Sequence, residues 1–153
     1  MSVSVPSGNV FVDTNVLVYS RDASEAEKQP LASAWLLRLW ESRRGRLSVQ
    51  VLNEFYVAVT RKLDPGMSAE QARADVRDLR SWEPIDLDTA LIETAWSVQD
   101  RFVMSFWDSL IVAAAQTTQC RYLLTEDLQE GQLFSGVEVV NPFRRPPSEL
   151  LLT

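Results

Sequence analysis

The sequence predicts an α/β sandwich built on a mainly parallel sheet. Short, continuously apolar runs alternate with longer segments of helical periodicity, and that alternation is the signature of strands joined through helices. The length of 153 residues, 46% hydrophobic and 24% charged, suits one domain around one core. No repeat, low-complexity tract or linker divides the chain. The domain is placed at residues 1–145, and the segment 146–153 is read as a C-terminal tail.

Each element has its own justification. Asn9-Val10-Phe11-Val12 reads as a buried strand running into Asp13, and Asn15 to Tyr19 as the start of a helix. Glu25 to Arg44 is helical, with acids early and arginines late to suit the helix dipole. Its centre, Leu31 to Trp40, is apolar on more than one stripe, which predicts burial by the core on one side and a partner subunit on another. Leu47-Ser48-Val49 reads as a strand and Val51 to Lys62 as a helix, broken by Asp64-Pro65-Gly66. Ser68 and Gln71 resemble a capping box opening a helix to Arg80. Ile85-Asp86-Leu87 reads as a strand, and Asp88 caps a helix to Phe102. Ser105 to Thr118 is a helix around Ala113-Ala114-Ala115, and Tyr122 to Thr125 and Val137 to Val140 are the last strands. Trp35, Trp40, Trp96 and Trp107 sit at apolar helical positions and read as core or dimer-interface residues rather than base-stacking platforms.

Two absences narrow the chemistry. The chain has no histidine, which excludes Ser-His-Asp and Cys-His catalysis and imidazole metal sites. Its one cysteine, Cys120, excludes an intrachain disulfide and cysteine-rich zinc sites, and its apolar surroundings suit a buried, inert thiol. Catalysis must therefore rest on carboxylates, hydroxyls, Lys or Arg, and oxygen ligands select a hard cation such as Mg²⁺ or Mn²⁺. No apolar run is long enough to span a bilayer, and Met1 to Gly8 lacks the pattern of a secretory signal, so a cytoplasmic protein is expected.

The net charge of −6 argues against broad wrapping of nucleic acid, although local distribution decides binding. Basic residues bunch at Arg43, Arg44 and Arg46, at Arg61 and Lys62, at Arg73, Arg77 and Arg80, and at Arg144 and Arg145. Each bunch taken alone reads as a solvated helix face or end.

Ligands of parallel α/β sheets bind outside the carboxyl ends of the strands. The first strand runs into Asp13, and Thr125 is followed by Glu126 and Asp127. Glu54 is placed in the first turn of the helix after Leu47-Ser48-Val49, and Asp108 in the first turn of the helix from Ser105. Each of the four acids could cap or complement a helix or turn. Four at one sheet edge concentrate negative charge that a cation would neutralise. Carboxylates holding one or two divalent ions can activate water and stabilise the oxygens of phosphodiester cleavage, which needs no histidine.

The segments around these acids resemble the PIN-domain family, in particular VapC-type toxins of bacterial toxin–antitoxin pairs. Phe11-Val12-Asp13-Thr14-Asn15-Val16-Leu17-Val18-Tyr19 is similar to the opening motif, and Leu47 through Phe55, with Glu54, to the second. Ser105 through Ala115, with Asp108, resembles the third, Leu123-Leu124-Thr125-Glu126-Asp127-Leu128 the fourth, and Val139-Val140-Asn141-Pro142-Phe143 the usual ending. The resemblance runs in order over nearly the whole chain. It implies a three-layer α/β/α sandwich and a Mg²⁺- or Mn²⁺-dependent endoribonuclease, with phosphodiesters hydrolysed by metal-activated water. Asp13, Glu54, Asp108 and Asp127 would hold the metal, with Asn15 and Thr125 orienting them. It further implies a homodimer and a protein antitoxin that blocks the site.

Arg43, Arg44, Arg46, Arg61 and Lys62 flank the second motif and are the candidates for RNA phosphate contacts. Rival readings stay open. A non-catalytic binding module would use the acids as caps, and a related nuclease could act on DNA or in RNA processing. An aspartyl phosphotransferase would want a second acid two residues after Asp13, where Asn15 stands.

Overall fold

The computed structural model describes residues 8–150, and its five strands form one sheet in the order β2-β1-β3-β5-β4. In chain order the elements are β1 (Val10–Val12), α1 (Thr14–Ser20), α2 (Lys28–Ser42), β2 (Gly45–Arg46), α3 (Val49–Arg61), α4 (Ala69–Asp78), α5 (Thr89–Phe102), α6 (Phe106–Thr117), β3 (Tyr122–Leu124), β4 (Leu133–Phe134) and β5 (Val137–Val140). Pairings β1–β2, β1–β3 and β3–β5 are parallel, and only β4 runs antiparallel, to β5. Every residue of β1 and β3 is buried, as a sheet covered on both faces requires. α6 packs across β1, β3 and β5 and is backed by α5, while α1 packs with α2 and α3, and α3 with α4. This is the expected three-layer α/β/α plan.

Local chemistry explains most boundaries. Ser48, Ser68, Asp88 and Ser105 cap α3, α4, α5 and α6, each side chain accepting from the backbone N–H three residues on. The apolar segment 113–115 is buried in α6. Cys120 is a buried free thiol pushed up to about 11 by its burial.

Several expectations are corrected. The strand read at 47–49 lies two residues earlier, at Gly45–Arg46, because Ser48 caps α3 and Val49 is already helical. Gly45 is required there: a Cβ would lie 2.6 Å from the Trp82 ring. Ile85–Leu87 reduces to a single parallel bridge from Ile85 to Ser48. α2 starts at Lys28 and ends at Ser42, so the flanking Glu25 and Arg44 fall outside it, and Arg43 terminates it at φ 59°. On α2 only the Ala32, Trp35 and Leu39 stripe is buried, whereas Leu37 and Trp40 are exposed. β5 stands where the sequence predicts it, and the sequence reading lacks only β4, which pairs with it as a hairpin. The hairpin turns through Ser135 and Gly136, both at positive φ, as a tight hairpin turn demands.

After β5, Pro147–Glu149 form a 3-10 turn, and Leu150 packs against the core. Arg145 secures this segment by pairing with Glu149 and Glu138. The Trp35 indole donates to the carbonyls of Pro142 and Arg145 beneath it. No helix among the described residues is long and apolar enough to cross a membrane.

Candidate active site

Sheet register places the first two groups of the site. The last pair shared by β1 and β3 is Val12 with Leu124, so Asp13 and Thr125 stand side by side one step beyond it. The ladder continues through both, with Asp13 N donating to Leu124 O and Thr125 N to Val140 O, each at 3.0 Å. Thr125 Oγ1 then donates to Asp13 Oδ2 at 2.9 Å. Asp13 also caps α1, its Oδ1 accepting from Thr14 N at 2.7 Å.

Asn15, in the first turn of α1, ties this pair to a third group. Its Nδ2 lies 3.0 Å from Thr125 Oγ1, 3.1 Å from Asp127 Oδ2 and 3.4 Å from Asp13 Oδ2. Asp127 N donates back to Thr125 Oγ1 at 3.1 Å. The two acids after β3 thus separate. Asp127 faces the cleft, while Glu126 turns to Tyr19 and Lys28, with Lys28 Nζ at 2.9 Å.

Glu54 and Asp108 complete one wall. Glu54 is in the second turn of α3 rather than the first, because the helix begins at Val49. Its Oε1 accepts from Thr14 Oγ1 at 2.8 Å, a contact from a residue the sequence reading passed over. Thr14 directly follows Asp13, and that adjacency is the signal that could have found it. Asp108 occupies the first turn of α6, its N–H donating to the capping Ser105 hydroxyl. Asp13, Glu54, Asp108 and Asp127 line one open cleft of about 750 Å³, together with Asn53 and Lys62. Trp107 stands at its rim, 61% exposed, and Trp96 is exposed on α5.

Asp13 is the electrostatic focus. It is 7% exposed, and burial pushes its carboxyl up to about 7, with the Asp127 and Glu54 charges adding to the rise. Hydrogen bonds from Thr125 and Thr14 pull in the opposite direction without restoring the ordinary value. A buried carboxylate facing two further acids has the character of a cation ligand, and the donors are all hard oxygens, which suit Mg²⁺ or Mn²⁺. Among the described residues, no three acids stand close enough as placed to close on a single ion. The fold brings the four to one cleft.

The basic residues separate. β2 runs parallel to β1 with Gly45 opposite Val10, so Arg43 and Arg44 lie at the amino ends of the strands, across the sheet from Asp13. Arg46 is held by Glu83 at 3.7 Å and by the carbonyls of Arg43 and Gly45. Arg61 is exposed at the end of α3, and of these five only Lys62 lines the acidic cleft. For Arg43 and Arg44, proximity to the second motif in sequence did not translate into proximity to the acids, because they precede β2 at the amino ends of the strands while Asp13 lies at the carboxyl end of β1.

Comparison with curated proteins found no match. Several solved structures share the fold, three of them as follows. A toxin–antitoxin complex from Klebsiella pneumoniae is 19% identical with a TM-score of 0.61, over 88% of this chain and 98% of that one. VapC20 from Mycobacterium tuberculosis, described as a Sarcin-Ricin loop cleaving toxin, is 21% identical with a TM-score of 0.55, over 75% of this chain and 87% of that one. VapBC2 from Rickettsia felis, bound to a DNA fragment from its promoter, is 17% identical with a TM-score of 0.54, over 85% and 96%. The PIN domain model matches residues 10–130, a span that contains all four acids, and the chain belongs to the PIN-domain family.

Proposed function

We propose that the protein is a divalent-metal-dependent endoribonuclease acting as the toxin of a toxin–antitoxin pair. The observation that carries the reading is the buried Asp13 carboxyl, raised to about 7 and linked through Thr125 and Asn15 to Asp127. Glu54 and Asp108 share its cleft. Placing such a group at the end of a strand costs stability, which structural capping does not require.

Asp13, Glu54, Asp108 and Asp127 would hold the cation. Bound there, Mg²⁺ or Mn²⁺ supplies positive charge that activates water and offsets charge on the phosphodiester. Thr125 and Asn15 fix the rotamers of Asp13 and Asp127, and Thr14 fixes Glu54. Asp13 would hold the cation as the carboxylate, and the open side of the cleft gives its proton a path to solvent. Lys62 on the same wall is placed to meet a substrate phosphate.

An antitoxin partner is inferred by analogy with the toxin–antitoxin assemblies among the structural neighbours. Exposed Leu37, Trp40 and Trp96 supply apolar surface for that partner or for a homodimer. End-group analysis of cleaved RNA tests the mechanism. Water attack leaves 5′-phosphate and 3′-hydroxyl ends, whereas a 2′,3′-cyclic phosphate would show that the RNA's own hydroxyl is the nucleophile. A matched DNA strand cut as fast as RNA would replace the substrate assignment.

A further inference from the structure

Beside the acidic cleft, α3 and α4 enclose a groove of about 370 Å³ whose charged lining is entirely arginine: Arg73, Arg77 and Arg80. Arg73 and Arg77 lie one helical turn apart on α4, and Arg80 sits in the 3-10 turn that continues it. All three are exposed, and among the described residues none of them forms an ion pair. Two of the three carboxylates of the same helix, Asp75 and Asp78, point elsewhere. Asp75 is taken by Arg21 in a bidentate pair at 2.7 Å, and Asp75 and Asp78 both line a different hollow, against Trp40 and Trp82. α4 therefore keeps Asp75 and Asp78 on a different side from Arg73 and Arg77, which line the groove with α3.

The groove is continuous with the candidate active site. Asn53 and Val57 on α3 line both the arginine groove and the acidic cleft, so the two share a wall. Its floor carries Tyr56, whose hydroxyl accepts from Arg73 Nε at 3.2 Å and whose ring lies 5.8 Å from that guanidinium. Arginines beside an aromatic ring form a surface suited to single-stranded nucleic acid, the guanidinium groups meeting phosphates and the ring meeting a base.

We infer that the α3–α4 groove, through Arg73, Arg77 and Arg80, binds the backbone of the single-stranded RNA whose neighbouring phosphodiester occupies the acidic cleft. The inference rests on the ribonuclease reading above. It answers how a chain of net charge −6 holds a polyanion: attraction is local, next to the acids rather than spread over the surface.

The test measures binding of a fluorescent single-stranded RNA of about 12 nucleotides to the full chain in chelator, across a salt series. Arg73→Gln/Arg77→Gln/Arg80→Gln is compared with wild type and with the three corresponding Lys variants combined. Loss of three phosphate contacts flattens the plot of log affinity against log salt by about two and weakens binding on the order of 100-fold at about 0.1 M salt. The Lys variant retains most of the slope. Should removal of the Arg73–Tyr56 contact impair folding, Arg77→Gln/Arg80→Gln keeps the test intact with a slope change of about 1.4.

An unchanged slope in a folded variant overturns the inference, and metal-dependent RNA cleavage by wild type then leaves the ribonuclease reading standing. Failure of wild type to bind RNA also overturns it. If the arginines instead prove necessary for binding a polyglutamate peptide, with RNA ignored, the groove belongs to an acidic protein partner and the inference is wrong. If RNA is bound through the arginines but never cleaved with metal supplied, the groove stands and the ribonuclease reading fails.

Discussion

The hydroxyl of Thr125 donates to the buried carboxylate of Asp13 at 2.9 Å and accepts from the backbone N–H of Asp127 at 3.1 Å. One oxygen thus couples the ends of β1 and β3, orienting the Asp13 carboxylate and anchoring the backbone of Asp127. Thr125→Val keeps shape and volume but leaves Asp13 and Asp127 N without this partner. The expected result is a folded protein whose cleavage rate and metal affinity each fall on the order of 10- to 100-fold. Thr125→Ser restores most of both. Rates and metal titrations of the two variants check it, and equal loss in Ser and Val would assign the effect to packing.

Asp13 has a pH signature. Its carboxyl rises from 3.8 to about 7 on folding, so between those values the native state holds a proton that the unfolded chain has released. This group's contribution is fully present below about 3.8, is lost as pH rises to about 7, and is flat beyond. Asp13→Asn abolishes that slope. In chelator, the variant should gain stability over wild type from about pH 4 to pH 7, reaching a few kcal/mol. Denaturant melts at stepped pH measure the gain, and a pH-independent difference would deny the burial cost.

Glu54 is not the cap of the helix that carries it. Ser48 caps α3, and among the described residues the Glu54 carboxylate accepts only from Thr14. Glu54→Gln should therefore change stability by less than about 0.5 kcal/mol while cleavage falls at least about 100-fold. Ser48→Ala should cost about 1 kcal/mol in the same denaturant assay. Loss of stability in Glu54→Gln matching that of Ser48→Ala would favour the binding-module reading.

Gly45 lies under the Trp82 ring, where a Cβ would approach to 2.6 Å. Gly45→Ala should destabilise by about 1–3 kcal/mol through displacement of Trp82, visible as a change in tryptophan fluorescence. Gly45→Ala/Trp82→Leu should recover part of the loss. Additive losses would locate the strain elsewhere.

What the sequence revealed tracks what is local. The runs at Val10–Val12 and Tyr122–Leu124 are apolar throughout because their strands are central, and both were legible. β2 was misplaced because two residues, Gly45 and Arg46, carry no strand-like pattern, while the apolar Leu47 and Val49 flank a helix cap. β4 is equally short and depends on its turn. Asp13 and Asp108 were legible as acids at a strand end and a helix start. The convergence of Asn15 on Asp127 spans 112 positions and follows from sheet order, which no local pattern encodes. The same limit explains the arginines. Arg43 and Arg44 neighbour the second motif in sequence but not the acids in space, whereas the packing of α4 on α3 puts Arg73, Arg77 and Arg80 in a groove that shares Asn53 and Val57 with the acidic cleft.

The most direct test of the carboxylate site is cleavage of total RNA by purified protein, with and without Mg²⁺ or Mn²⁺, beside Asp13→Asn. The account predicts cutting that requires the metal, calorimetric binding of the ion by wild type, and loss of both in Asp13→Asn despite its higher stability in chelator. Cutting that persists in Asp13→Asn, or that proceeds undiminished in chelator, would contradict it.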